Sequence, residues 1–252
     1  MMTRHQRIPI EKLRITVVYD NNPGAPGIAP DWGFACLIKG TPQPILFDTG
    51  GDGSILLGNL GRLGIAAAEI GVIFLSHFHG DHTGGLAQLL QKNKHATVCH
   101  PASFPAKFSA ALNRSGVRAQ ALRSAAKIAD GVYSTGELGT WIIEQSLMIP
   151  TEMGTILITG CAHPGIVKIV AAARAILGSN VYFVMGGFHL GGLGENQLAE
   201  IITGFKKLGV TSVGPCHCSG DTARRLFKNA YGRDYVTIGA GSVISFKRRD
   251  HV

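Results

Sequence analysis

Residues 73–85 read IFLSHFHGDHTGG, an apolar run that ends in His77, His79, Asp81 and His82 within six positions. Imidazole and carboxylate groups are metal donors, and their order here suggests how they would be presented. On an extended backbone residues i and i+2 share a face, so His77 and His79 point the same way. Gly80 then lets the chain turn, and Asp81 and His82 come round from the start of the next helix. Amide groups at that helix start also favour a nearby anion. Two imidazoles on one side and a carboxylate plus imidazole on the other can hold two metal ions a few ångströms apart. A polar turn that happens to be rich in histidine is the bland alternative, and four donors in this order argue against it.

Three later segments carry further donors. In ILITGCAHPG (156–165) an apolar strand stops at Gly160, and Cys161 and His163 lie two apart, facing together if the backbone stays extended. In GPCHCSG (214–220) alternation puts Cys216 and Cys218 on one face and His217 on the other. Either the thiols or the imidazole can then point inward. The chain has no second CxC or CxxC to complete a thiolate zinc site, which favours His217. In VMGGFHLGG (184–192) His189 follows a strand between glycines, and it could bind substrate, bind metal or close a turn. Asn21 is a further expected substrate contact, and Asp20-Asn21-Asn22 and Trp32 could line the pocket wall, although they read more readily as a turn and a core aromatic.

These residues need elements to hold them. The 252-residue chain, 45% hydrophobic and 16% charged, has ample core for one domain spanning 1–252. Short β-branched runs recur: LRITVVY, WGFACLI, PILF, GVIFL, ATVC, TWIIE, TILIT, NVYFVM, TSVG, YVTIG and SVISF. Helix-like segments lie at 54–63, 83–92, 165–177, 195–208 and 220–230. The first three runs follow one another as in antiparallel β, whereas strand and helix alternate later. That mixture predicts an α/β (α+β) fold of two sheets with helices outside. The stretch 101–131 reads as a surface helix or an insertion near the mouth of a site.

With HxHxDH at a strand-to-helix junction and LFDTGG at 46–51, the chain resembles the metallo-β-lactamase superfamily. TGCAHPGI, GGFHL and PCHCSG, in this order, resemble a branch of it: metal-dependent hydrolases related to 7,8-dihydropterin-6-methyl-4-(β-D-ribofuranosyl)-aminobenzene-5'-phosphate synthase. The resemblance runs from about Leu13 to Phe246. It implies a four-layer αββα sandwich and a dinuclear centre, with Asp48 supporting the ligands from behind. Many relatives carry a histidine in a PGHT-like turn, yet no histidine lies between His100 and Cys161 here. His163 is therefore expected to complete the first metal site with His77 and His79. Cys161 would join Asp81, His82 and His217 at the second.

Imidazole-rich donors with a thiolate suit zinc better than magnesium or calcium, with iron or manganese as alternatives. His79 stands where di-iron relatives often carry a glutamate, which speaks against an oxidoreductase. The expected activity is hydrolysis by a metal-activated water, with Asp81 orienting that water and taking its proton. The alternatives are a synthase or transferase acting on a phosphoribosyl or pterin precursor, and a non-catalytic metal binder. The formal charge of +8 is scattered, with no basic stretch interleaved with aromatics, so no nucleic-acid partner is expected. It would favour an anionic small-molecule substrate, a phosphorylated one included. Five cysteines, the lack of a secretory signal and the lack of an apolar run near ~20 residues predict a cytoplasmic protein without a membrane partner.

Overall fold

The apolar runs pair as two sheets because most of them are buried on both faces and none can stand alone. The computed structural model describes residues 5–248; residues 1–4 and 249–252 of the expected domain lie outside the described residues. In chain order the elements are β1 (Arg14–Asp20), β2 (Phe34–Lys39), β3 (Ile45–Phe47), α1 (Gly53–Arg62), β4 (Val72–Phe74), α2 (Gly80–Thr83) and α3 (Leu86–Lys92). Next come β5 (Thr97–Pro101), α4 (Ala106–Arg114), β6 (Ala119–Leu122), β7 (Ala126–Ala129), β8 (Val132–Ser134), β9 (Leu147–Thr151) and β10 (Gly154–Thr159). The chain ends with α5 (Ile166–Leu177), β11 (Val181–Gly187), α6 (Glu195–Lys207), β12 (Ser212–Cys216), α7 (Asp221–Tyr231) and β13 (Val243–Ser245).

One sheet has seven strands in the order β13-β1-β2-β3-β4-β5-β6, and the other has six, β12-β11-β10-β9-β8-β7. Their inner faces meet in a core that includes Ile15, Val17, Cys36, Phe47, Phe74, Ile149, Ile156, Ile158 and Met185. On the outer face of the first sheet Leu46, Ile73 and Val98 pack on Leu56, Leu60, Leu89 and Leu112 from the helices. On the second, Leu157, Val184 and Val213 pack on Ile169, Val170, Leu198, Phe205 and Phe227. The result is the expected αββα arrangement. Strands such as β3 (ILF) and β4 (VIF) are covered on both sides, so they read as unbroken apolar runs rather than alternating ones.

The pairing direction decides where the chemistry sits. β1, β2 and β3 are antiparallel, as their close succession predicts, whereas β3 to β6 run parallel with helical crossovers. β10, β11 and β12 are also parallel. Asp48 follows β3, His77 follows β4, Cys161 and His163 follow β10, His189 follows β11, and His217 follows β12. Donors far apart in sequence thus leave the carboxyl ends of parallel strands, the edge at which open α/β sheets place their crevices.

Two expected strands are not formed. TWIIE lies in a hairpin tip closed by one bridge between Leu138 and Glu144, and YVTIG contributes only a bridge from Tyr235 to Val213. Their β propensity is overridden because Trp141 points to solvent and Tyr235 follows a short helical turn. The stretch 101–131 holds α4 and then β6 and β7, one at an edge of each sheet, and so connects the two sheets. No described helix is long and apolar enough to cross a membrane.

Candidate metal centre

The backbone around the donors is strained in a consistent way. Among the described residues, four non-glycine residues have positive φ: Asp48, Ala162, His189 and His217, at 55°, 60°, 51° and 48°. Each belongs to one of the donor-bearing turns. Such conformations cost about 1–3 kcal/mol apiece and persist where the surroundings over-determine them. Ala162 lets Cys161 and His163 both turn toward the same space.

His217 shows why alternation misleads at 216–218. It opens a short 3₁₀ turn instead of extending β12, so Cys216 stays in the inter-sheet core while His217 and Cys218 both reach the donor cluster. The expectation that thiol and imidazole exclude one another is therefore corrected. Strand periodicity ends at Cys216.

Around the first position, His77 Nδ1 bonds Ser76 Oγ at 2.9 Å, which turns Nε2 inward to 3.0 Å from His79 Nδ1. The His163 ring stands 4.9 Å from both the His77 and His79 rings. Around the second, His82 Nδ1 donates to Asp48 Oδ2 at 2.7 Å, leaving Nε2 3.2 Å from Cys161 Sγ and 3.6 Å from Asp81 Oδ2. His217 Nδ1 donates to Asn21 Oδ1 at 2.8 Å, and its Nε2 lies 3.3 Å from the same Asp81 oxygen. Asp48 also accepts from Ser76 N and Ser76 Oγ, both at 2.7 Å, so one buried carboxylate orients imidazoles at both positions.

Asn21, expected at substrate, instead commits its amide to His217, bonding both the ring and the carbonyl oxygen. Asp20 holds the same residue through His217 N at 3.1 Å. Trp32, expected in the core, is 58% exposed and lies 5.2 Å from the His217 ring. His189 is exposed, with its ring 4.5 Å from that of His163.

Three sets of donor atoms each fall within 4.8 Å of one another: Asp81, His82, Cys161 and His217; His77, Cys161 and His163; and Cys161, His189 and Cys218. His163 Nε2 is buried without a hydrogen bond, and His217 Nε2 has only the 3.3 Å contact with Asp81. Orphaned imidazole nitrogens are costly unless another partner takes them. These inward-facing nitrogens, beside a thiol and a carboxylate, fit a bound cation.

Electrostatics agree with that fit. Burial pushes the Asp81 carboxyl up, but His217 and His82 outweigh it and hold it well below the usual range. Burial first, then neighbouring imidazoles, lowers His77 and brings His163 down to about 4. Burial also opposes charge on His82, yet the Asp48 carboxylate prevails and raises it. Cys161 and Cys218 lie 3.2 Å apart, and their mutual hydrogen bond shifts the two thiols in opposite directions, Cys218 down and Cys161 up.

A pH dependence follows for chelated protein. Unfolded, His77 and His163 take up protons near 6.5; folded, His163 does so only near 4. Their contribution to stability is complete above pH 6.5 and is lost as pH falls toward 4. His82, shifted the other way, contributes fully below 6.5 and adds nothing to that fall. The urea midpoint of His163→Ala should therefore depend less steeply on pH between 6.5 and 4 than that of the wild type.

Two residues behind the donors were not singled out by sequence. Ser76 had a weak signal, its adjacency to His77. Glu144 had none. It is buried at 1% exposure, and its Oε1 accepts from Thr159 Oγ1 and the amides of Gly160, Cys161 and Ala162 while Oε2 accepts from His163 N. Those five donors wrap the turn that presents Cys161 and His163.

The metallo-beta-lactamase superfamily profile matches residues 33–172. A protein of Methanocaldococcus jannaschii named 7,8-dihydropterin-6-methyl-4-(beta-D-ribofuranosyl)-aminobenzene-5'-phosphate synthase is 31% identical, over 86% of this chain and 92% of its own. The fold is similar to that of a solved metal-dependent hydrolase of the beta-lactamase superfamily, with a TM-score of 0.78 and 24% identity over 94% of this chain and all of that one. It is also similar to the metallo-beta-lactamase fold protein YhfI of Bacillus subtilis, with a TM-score of 0.68 and 14% identity over 92% and 99% of the two chains. Profile, relative and fold agree with the donor geometry, and the chain belongs to the metallo-beta-lactamase superfamily.

Proposed function

We propose that the protein is a metal-dependent hydrolase of an anionic small molecule, phosphorylated substrates among them. The convergence of inward-facing imidazole nitrogens with Asp81 and Cys161 carries this reading. His77, His79 and His163 would hold one divalent ion, and Asp81, His82, Cys161 and His217 a second. Zinc suits this donor chemistry, with iron or manganese as alternatives. When bound, such ions acidify water and polarise a carbonyl or phosphoryl oxygen.

The chain's own residues do the rest. Asp48, Ser76 and Asn21 fix which nitrogen of each imidazole faces the cluster. Asp81 stays ionised and can orient a water molecule and accept its proton at a carboxylate oxygen. Extensive chelation is expected to abolish turnover in a screen of phosphomonoesters, phosphodiesters, thioesters and lactones. Zinc should restore it at about two ions per chain. Full activity in a well-chelated, metal-free sample would sink the reading.

A second reading has one observation behind it, since the 31% identical relative is named a synthase. A synthase or transferase acting on a phosphoribosyl or pterin precursor would turn over only with a second organic substrate. Turnover with water as sole acceptor separates the two.

A further inference from the structure

Beside His163 and His189 opens a cavity of about 650 Å³ that no donor group fills. Its volume falls within the roughly 300–1,000 Å³ of ordinary ligand pockets. Pro164 and Lys168 border it on one side, and the tip of the 138–144 hairpin, with Trp141 and Ile142, borders it on the other. The hairpin is held at its base by Leu138 N to Glu144 O at 2.9 Å and Glu144 N to Leu138 O at 3.0 Å. Because the Glu144 side chain also wraps the 159–163 turn, one residue ties the cavity wall to the donor cluster.

Two features of this wall have no structural use in the chain itself. Trp141 is 94% exposed, where a tryptophan normally buries most of its large apolar area. Lys168 has no carboxylate within ion-pair distance among the described residues, although it stands one turn from the donor-bearing loop. Trp141 does not stand alone. Trp32 is also strongly exposed and lies against His217. Two exposed indoles thus border the donor cluster, and the cavity adds one cation. An indole face recognises a flat apolar group, and an ammonium recognises an anion. The N-terminal amides of α5, whose first residue is Ile166, reinforce the preference for negative charge on that side.

We propose that this cavity is the subsite for the non-reacting part of the substrate, a planar apolar ring carrying a phosphate or carboxylate. The ring packs on Trp141, the anionic group meets Lys168, and the bond to be broken lies toward His163. The assignment rests on the hydrolase reading only in taking the donor cluster as the reaction centre, so binding is tested apart from turnover.

Phenylphosphonate, which cannot be hydrolysed, serves as the probe, with benzoate and inorganic phosphate beside it, in calorimetric titrations of zinc-loaded protein. Phenylphosphonate should bind at least fivefold tighter than phosphate, because only it presents a ring. Lys168→Glu should weaken it at least tenfold, with Lys168→Arg close to wild type. Trp141→Ala should erase its advantage over phosphate, and Trp141→Phe should restore most of it. Zinc content and melting temperature should not move, since both side chains are exposed. Benzoate losing affinity in Lys168→Glu by the same factor extends the subsite to carboxylates; benzoate failing to bind narrows it to phosphoryl groups. Equal affinity for phenylphosphonate and phosphate in the wild type, or wild-type affinity in both Lys168→Glu and Trp141→Ala, would overturn the assignment. Probe binding with this pattern in a protein that hydrolyses nothing would instead overturn the hydrolase reading and leave the subsite standing.

Discussion

Replacing Asp81 by alanine is expected to lower kcat/KM at least a thousandfold on the best substrate found, while circular dichroism and the melting profile stay close to wild type. A thousandfold is about 4 kcal/mol of transition-state stabilisation at about 1.4 kcal/mol per decade. The size follows from the two tasks placed on one carboxylate. Its Oδ2 stands 3.3 Å from His217 Nε2 and 3.6 Å from His82 Nε2, so its loss removes the carboxylate charge at the second cation position. It is also the acidic side chain of the donor set that is partly open to solvent, and hence able to handle a water proton. The fold should survive because Asp81 lies on a four-residue helix and contributes no core packing. Metal content, measured on the same sample, should fall from two ions per chain toward one. Asp81→Asn, which keeps the shape without the charge, should be nearly as inactive. Wild-type turnover in either variant would remove Asp81 from the chemistry.

Glu144→Ala should produce the largest loss of stability of any single change near the site. The carboxylate is buried and accepts five hydrogen bonds, four of them from consecutive backbone amides. Burial pushes its pKa up and the amide donors oppose that rise. Truncation leaves those donors buried and unpaired, at a cost on the order of 3–5 kcal/mol. Against a net stability of about 5–15 kcal/mol that is severe, and the melting temperature should fall by about 10 °C. Glu144→Gln keeps an oxygen for the Oε1 donors but sets an amide N–H against His163 N, so a smaller loss of about 1–3 kcal/mol is expected. In both variants zinc should dissociate faster, because the turn carrying Cys161 and His163 loses its template. Unchanged melting and unchanged zinc retention in Glu144→Ala would show that the turn holds itself.

Much of this protein was legible residue by residue. HFHGDH could be read as a donor segment because local geometry suggests it: a strand end, a glycine and a helix start present His77 to a set with Cys161 and His163, and Asp81 and His82 to a set with Cys161 and His217. The apolar runs named both sheets for a related reason, since a strand covered on both faces must be apolar throughout. The five helical segments were readable from their spacing, and each is present within about three residues of its expected bounds.

Tertiary structure decided everything that depends on a partner distant in sequence or on a break in periodicity. Cys218 joins the cluster because His217 leaves the strand at a positive φ, and alternation has no means of announcing that departure. Asn21 orients His217, 196 positions away. Trp32 and TWIIE looked like core and strand from their composition, yet burial is a property of neighbours, and the sheets pass them by. Glu144 is the plainest case. A glutamate in an apolar run carries no local mark of its role, and only the antiparallel pairing of β9 with β10 brings the four amides to it. Sequence alone determined which atoms could bind a metal; the fold determined which of them meet, how each imidazole is turned, and what stands behind them.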